Sequence, residues 1–182
     1  MRFLLYNIRY AAGTGWKVHF PVPFSGYLKR TGDNFRQIAD FIKSVNPDIT
    51  GLIEVDSGSF RADRSNQARL IADEIQHHHI FKNKYSGKSM VRKLPLFNKQ
   101  GNAFLTNQDI RNLQFHYFNR GFKRLVIEAE LKEFKTFIVH LSLQYRHRQE
   151  QLRDLNALVR ASGKPVIVAG DFNVFRGEKE LD

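Results

Sequence analysis

The chain has 182 residues, a net charge of +11 from 29 lysines and arginines against 18 acids, 13% aromatic residues and no cysteine. That length allows a real buried core and that aromatic content argues against disorder, while the absence of cysteine excludes a disulfide framework and any cysteine-held metal. The surplus of positive charge favours an anionic partner: nucleic acid, a phosphorylated small molecule or an anionic membrane surface.

The opening segment, Met1 to Asn7, carries one arginine and a very short apolar run, without the apolar length or small-residue cleavage site of a signal peptide. No apolar run approaches the roughly 20 residues of a membrane span. The expectation is a soluble, cytoplasmic protein with one domain over residues 1–182.

Phe3-Leu4-Leu5-Tyr6 reads as a buried strand with Asn7 at its end. Arg9 to Arg30 is rich in glycine, proline and aromatics and reads as a long loop, with Trp16 as its anchor. Asp33 is placed to cap a helix whose apolar positions are Phe35, Ile38, Ala39, Phe41 and Ile42, and Pro47 marks its stop. Ile49 to Ile53 is a second apolar strand followed by Glu54. Gln67 to Gln76 has helical spacing. His77-His78-His79 reads as the frayed end of that helix; positions about 100° apart cannot face one metal ion.

Asn102 to Thr106 is a third strand. Leu125 to Leu131 alternates as a half-exposed strand does, and with Phe134 to Leu141 it forms a hairpin. Arg148 to Ala161 is a helix, and Val166 to Ala169 is a short buried strand ending in Gly170-Asp171-Phe172-Asn173. Period-2 alternation puts Asp171 and Asn173 on one side of an extended chain. Strands alternate with helices around a hairpin, which predicts an α/β fold with mixed sheets. From Lys82 to Arg124 the only acid is Asp109, and aromatics are interleaved with lysines and arginines. The basic residues as a group point to a polyanion; the aromatics taken singly belong to a core.

Asn7, Glu54, His140, Asp171 and Asn173 each follow an apolar strand. Taken singly, they are turn residues, solvated acids or a structural histidine. Taken together, with strands side by side and carboxyl ends aligned, they converge on one crevice. Two carboxylates and two carboxamides suit Mg²⁺ or Mn²⁺, and a nearby histidine can bind a phosphate or move a proton. In a basic surround the natural reaction is metal-assisted hydrolysis of a phosphate ester.

The same segments resemble, in order, the motifs of the endonuclease/exonuclease/phosphatase superfamily: Leu5-Tyr-Asn-Ile-Arg9, Asp48 to Glu54 (with Ile53 where a glutamine is common), Gly101 to Thr106, Val139-His-Leu141, Arg148-Gln-Glu-Gln151, and Gly170-Asp-Phe-Asn173. The resemblance implies a DNase I-like four-layer sandwich, two mixed β-sheets flanked by helices, with its C-terminal part missing. It implies a divalent-metal-dependent phosphodiesterase or nuclease, with a phosphatase or phospholipase-like hydrolase of inositol phosphates or phospholipids as the alternative. Glu54 would bind the metal with Asn7 beside it. Asp171 would orient or deprotonate water, Asn173 would hold the phosphate, and His140 would contact it. Arg124 is a further candidate for phosphate contact. The family's closing "S-D-H" motif has no counterpart after Asn173, so the chain as written is expected to be impaired as an enzyme, or to serve as a binding fragment, and to leave a strand edge open to self-association.

Overall fold

The computed structural model describes residues 1–13, 30–84, 97–121, 123–175 and 177–180. The expected loop anchor Trp16 lies outside the described residues, as do Tyr85, Lys88, Arg92, Lys93 and Phe122 of the basic run. Eight strands form two four-stranded mixed sheets. The first contains β1 (Phe3–Asn7), β2 (Ile49–Asp56), β3 (His78–Asn83) and β4 (Gln100–Thr106), in the order β1-β2-β4-β3. The second contains β5 (Asn112–Tyr117), β6 (Leu125–Glu130), β7 (Lys135–His140) and β8 (Val166–Asp171), in sequence order. Each sheet has one parallel pair, β1 with β2 and β7 with β8, and is otherwise antiparallel.

Three apolar layers hold the sheets. Ile49, Ile53 and Phe104 of the first sheet meet Leu125, Ile127, Ala129 and Ile138 of the second in a core between them. The approach is close: a Cβ at Gly51 would stand 2.8 Å from Ile138 Cδ1. The helices α1 (Gly32–Val45) and α2 (Gln67–Ile75) cover the outer face of the first sheet, where Ile42 and Ile71 pack with Leu52, Val55, Ala103 and Leu105. The helix α3 (Tyr145–Arg160) covers the second, where Leu155 packs with Val126, Phe137 and Val139.

Several expectations need correction. Asp33 lies inside the first turn of α1; the residue at the cap position is Thr31. At that place an acid still favours the helix through the exposed N–H groups and the macrodipole. His78 and His79 begin β3, because Gln76 takes a left-handed conformation (φ 56°) that ends α2 abruptly and turns the chain. β5 was not expected, although Leu113, Phe115 and Tyr117 alternate with polar residues and pack on the inter-sheet core. β6 is buried on both faces, not half-exposed, because α3 covers the side away from the core. The aromatics Phe104 and Phe118 are buried, as expected of core residues. Among the described residues, no helix is long and apolar enough to cross a membrane.

Candidate active site

The polar strand ends do converge, but not as neighbours in one sheet. β1 and β2 deliver Asn7 and Glu54 from the first sheet, and β7 and β8 deliver His140 and Asp171 from the second. Within each pair the strands are parallel, so their carboxyl ends lie together, and the two pairs meet where the sheets face each other. The Asn7 amide donates to Asp171 Oδ2 at 2.9 Å, a bond between residues 164 apart in sequence. His140 Nε2 lies 3.5 Å from Asp171 Oδ2 and 3.9 Å from Glu54 Oε1.

Glu54 reaches this seam through a bulge. The register of β2 against β4 shifts between Leu52 and Val55, and Glu54 takes φ 57°. One extra residue on the bulged strand re-aims a side chain and leaves its backbone without a ladder partner. Here the Glu54 N–H is satisfied by Asn102 Oδ1 at 3.3 Å. Glu54 is therefore inside β2, not beyond its end.

Asp171 is the last residue of β8, and the chain leaves the extended path at Asn173, which takes φ 50°. The expected shared face of Asp171 and Asn173 is lost at that turn. Instead the Asn173 N–H donates to Asp171 Oδ1 at 3.1 Å, and the Asn173 side chain donates to the Leu141 carbonyl at 2.9 Å. Each Asp171 oxygen thus accepts one protein hydrogen bond, which fixes the carboxylate while leaving lone-pair capacity on both atoms.

Two lysines complete the site. Lys123 Nζ contacts His140 Nε2 directly. An ammonium is a donor without a lone pair, so Nε2 accepts and the ring proton sits on Nδ1. Burial, followed by the charge of Lys123, holds His140 down at about 3 against the opposing pull of Asp171. The ring is neutral, and its approaches to Glu54 and Asp171 are polar contacts, not ion pairs. Lys84 lies across the seam with Nζ 2.7 Å from the Tyr10 hydroxyl. Burial lowers it to about 8, with Glu54 opposing and Lys123 and Arg61 adding to the effect. Lys123 is lowered by burial too, against the carboxylates of Glu54 and Asp171.

Neither lysine stood out from the basic run in the sequence. Lys84 directly follows β3, which runs in the same direction as β2 because both are antiparallel to β4. It is therefore one more polar residue at an aligned strand end, hidden because β3 itself went unrecognised. Lys123 precedes β6, whose start lies beside the end of its antiparallel neighbour β7. The expected phosphate contact Arg124 points its Nη1 toward the Asn119 carbonyl at 3.5 Å, and its neighbour Lys123 is the residue that reaches His140.

The donor set fits a hard divalent cation. Glu54 keeps 18% of its side chain exposed and accepts no hydrogen bond on its carboxylate among the described residues. Among the described residues Asn7 Oδ1 accepts the Arg9 N–H alone, at 3.1 Å, and retains a lone pair. No group of three or more His, Cys, Asp or Glu among the described residues is arranged to hold a metal. An ion such as Mg²⁺ is commonly held by one or two carboxylates, water and substrate phosphate, and needs no such cage.

The family profile of the Endonuclease/Exonuclease/phosphatase family matches residues 4–180. No curated protein sequence matches the chain. Its fold is similar to that of the human nocturnin catalytic domain with bound sulfate anion (TM-score 0.69, 22% identity, 99% of this chain and 66% of that one). It is also similar to an endonuclease/exonuclease/phosphatase family protein from Leptotrichia buccalis (TM-score 0.66, 16% identity, 100% and 71%) and to ANGEL2, a 2',3'-cyclic phosphatase (TM-score 0.63, 16% identity, 98% and 54%). The chain spans about two thirds of the nocturnin domain and about half of ANGEL2. The DNase I-like architecture of two facing mixed sheets flanked by helices is common to them. On the profile match across nearly its whole length, the chain belongs to the endonuclease/exonuclease/phosphatase family.

Proposed function

We propose that this chain carries the site of a divalent-metal-dependent phosphoester hydrolase acting on nucleic acid. The observation that carries the reading is the cross-sheet convergence of Asn7, Glu54, His140 and Asp171 between the two lysines Lys84 and Lys123. Glu54 and Asn7 would hold Mg²⁺ or Mn²⁺, which supplies positive charge to offset the growing charge on the phosphoryl oxygens. Asp171, oriented through Asn7 and the Asn173 N–H, accepts a proton from the attacking water. As the water oxygen bonds to phosphorus, the ester P–O bond breaks and the leaving oxygen takes up a proton from solvent water. Lys123 holds a phosphoryl oxygen as a cation, and His140, whose Nε2 accepts from Lys123, orients that amine.

The net charge of +11 supports a polyanionic substrate over a small phosphate ester. Slow turnover belongs to the same reading. Among the described residues His140 is the one histidine in contact with the site carboxylates, and its Nε2 accepts from Lys123, so these residues offer the leaving oxygen no imidazolium.

The test is turnover by the purified chain with Mg²⁺ or Mn²⁺ on duplex DNA, abasic DNA, RNA, a 2',3'-cyclic phosphate, sphingomyelin and inositol phosphates. Cleavage of a nucleic acid is expected, and Glu54→Ala and Asp171→Asn are expected to lower it by about 10²–10⁴-fold. Cleavage untouched by Glu54→Ala would sink the site assignment. Preference for sphingomyelin or inositol phosphates would replace the nucleic-acid substrate and keep the chemistry.

A further inference from the structure

Lys123 lies just before β6, in a segment that no strand or helix supports, yet its amine is brought against the buried ring of His140. Its backbone is held by one side chain. Gln151, on the second turn of α3 and 1% exposed, donates from Nε2 to the Lys123 carbonyl at 2.8 Å and to the Arg120 carbonyl at 2.9 Å. Its Oε1 accepts the Ser142 N–H at 2.8 Å. One amide thus satisfies three backbone groups on two segments, residues 120 and 123 before β6 and residue 142 after β7. Both amide hydrogens and the carbonyl oxygen are used.

The surroundings are shaped around that amide. Gly121 takes φ 88°, a conformation that glycine adopts without penalty. A Cβ there would stand 2.8 Å from Gln151 Nε2 and 3.4 Å from Ser142 Cβ. Arg148, one turn earlier on α3, donates to the Ser142 and Leu143 carbonyls at 3.0 Å each and closes the other side of the same segment.

We propose that Gln151 is a positioning residue of the site, latching Arg120 and Lys123 to the end of β7 so that Lys123 stands against His140 and meets the substrate phosphate. This rests on the reading of the site as a phosphate-binding one. Gln151 touches no substrate; it acts through Lys123. Glutamate at this place keeps an acceptor for the Ser142 N–H but turns an acceptor toward the two carbonyls, so the latch repels what it held. An alanine at Gly121 pushes on the same amide from the opposite side.

The experiment uses the whole 182-residue chain and inorganic phosphate as probe, read by NMR titration, with the side-chain ¹⁵N resonances of His140 recorded alongside. Gln151→Glu and Gly121→Ala are each expected to weaken phosphate binding about tenfold when Lys123 is present, and less than twofold in a Lys123→Met background. The His140 Nε2 resonance is expected to move in both latch variants in the direction it moves in Lys123→Met, because each withdraws the amine from that nitrogen. A loss of affinity that is the same in both backgrounds marks general damage to the fold and overturns the proposal. So does a His140 resonance that stays in place in Gln151→Glu. If the unaltered chain binds no phosphate, the hydrolase reading fails, and the His140 signature still decides whether the latch exists.

Discussion

Each sheet seats one lysine at the seam, and each does so with a buried glutamine and a buried arginine–carboxylate pair. In the first sheet Gln67 accepts the Asp56 N–H at 2.9 Å and donates to the Tyr10 carbonyl at 3.1 Å, and Tyr10 carries Lys84 on its hydroxyl. Beneath it Arg61 pairs with Asp56 at 2.9 Å, both side chains fully buried, and the guanidinium lies 5.1 Å from the Tyr10 ring centre. In the second sheet Gln151 holds Lys123, and Arg148 Nε donates to Glu180 at 2.9 Å. The parts match; the sequence distances do not. Asp56 and Arg61 are 5 residues apart, whereas Arg148 and Glu180 are 32 apart. A short loop closes at small entropic cost, so the ion pair beneath Lys84 is made by local chain, although Gln67 and Lys84 reach Tyr10 across 57 and 74 residues. The ion pair beside Lys123 instead depends on Glu180 meeting Arg148 and Gln149 of α3.

The backbone follows the same division. Arg9, Tyr10 and Ala11 all have positive φ (48°, 57° and 56°), so the residue that carries Lys84 sits in a strained left-handed turn. That turn is held by Gln67 Nε2 on the Tyr10 carbonyl and by Asn34 Nδ2 on the Ala11 carbonyl at 3.2 Å, while the Asp56 carboxylate orders the loop beside it, accepting from the Gly58 and Ser59 N–H groups and the Ser59 hydroxyl. The second sheet uses glycine at its corresponding left-handed position, Gly121, and stores less strain there.

The largest effect that separates the two seats comes from removing the arginines. Arg61→Met leaves Asp56 buried without its cation and is expected to cost about 3–5 kcal/mol. Arg148→Met leaves the equally buried Glu180 without its cation and also removes the hydrogen bonds to the Ser142 and Leu143 carbonyls, so its cost is expected to be larger by about 1–3 kcal/mol. Urea unfolding of both variants measures the difference. Equal losses would erase the distinction between a local and a long-range seat.

A second, smaller effect reads the lysines through His140, which lies between the sheets. Its folded-state value is lowered from 6.5 to about 3. The stability it contributes is therefore fully present above pH 6.5 and is lost as pH falls through about 3. In metal-free buffer the urea midpoint should decline across that window. Lys123→Met should raise the pH at which the decline ends, and so shorten it, more than Lys84→Met does, since Lys123 is the larger electrostatic cause and Lys84 the smaller. The reverse order would place the direct contact on the wrong lysine.

The smallest expected effect lies at the helix ends. α1 and α2 of the first sheet end on left-handed Asn46 and Gln76 (φ 47° and 56°), whereas α3 ends on right-handed Ala161. Gln76→Gly should raise stability by about 0.5–1 kcal/mol, since glycine takes that conformation without the Cβ clash. Ala161→Gly should lower it by up to about 1 kcal/mol. Melting temperatures that move the same way in both would remove this contrast.

Much of the architecture was legible because it rests on local pattern. Six of the eight strands and all three helices stood where apolar periodicity placed them, within a few residues at their ends. β5 carried a usable signal, the alternation of Leu113, Phe115 and Tyr117, that the surrounding lysines and arginines obscured. β3 carried almost none: it opens with two exposed histidines, and its partner β4 lies well ahead in the chain.

The sequence by itself determined the family, the order of the three helices and six of the strands, and the choice of Asn7, Glu54, His140, Asp171 and Asn173 as the polar residues that follow apolar runs. These follow from short-range chemistry: an apolar run, a glycine or turn residue, a polar side chain at a fixed offset. Only the tertiary structure decided that Asn7, Glu54, His140 and Asp171 meet across two sheets. It also showed that a bulge aims Glu54, that a left-handed turn parts Asn173 from Asp171, and that Lys84 and Lys123 join them. Those outcomes depend on register, on a one-residue shift in pairing and on contacts between segments up to 164 residues apart. Sequence periodicity carries no record of such distances, because the side chains that meet at the seam belong to strands whose neighbours are set by packing.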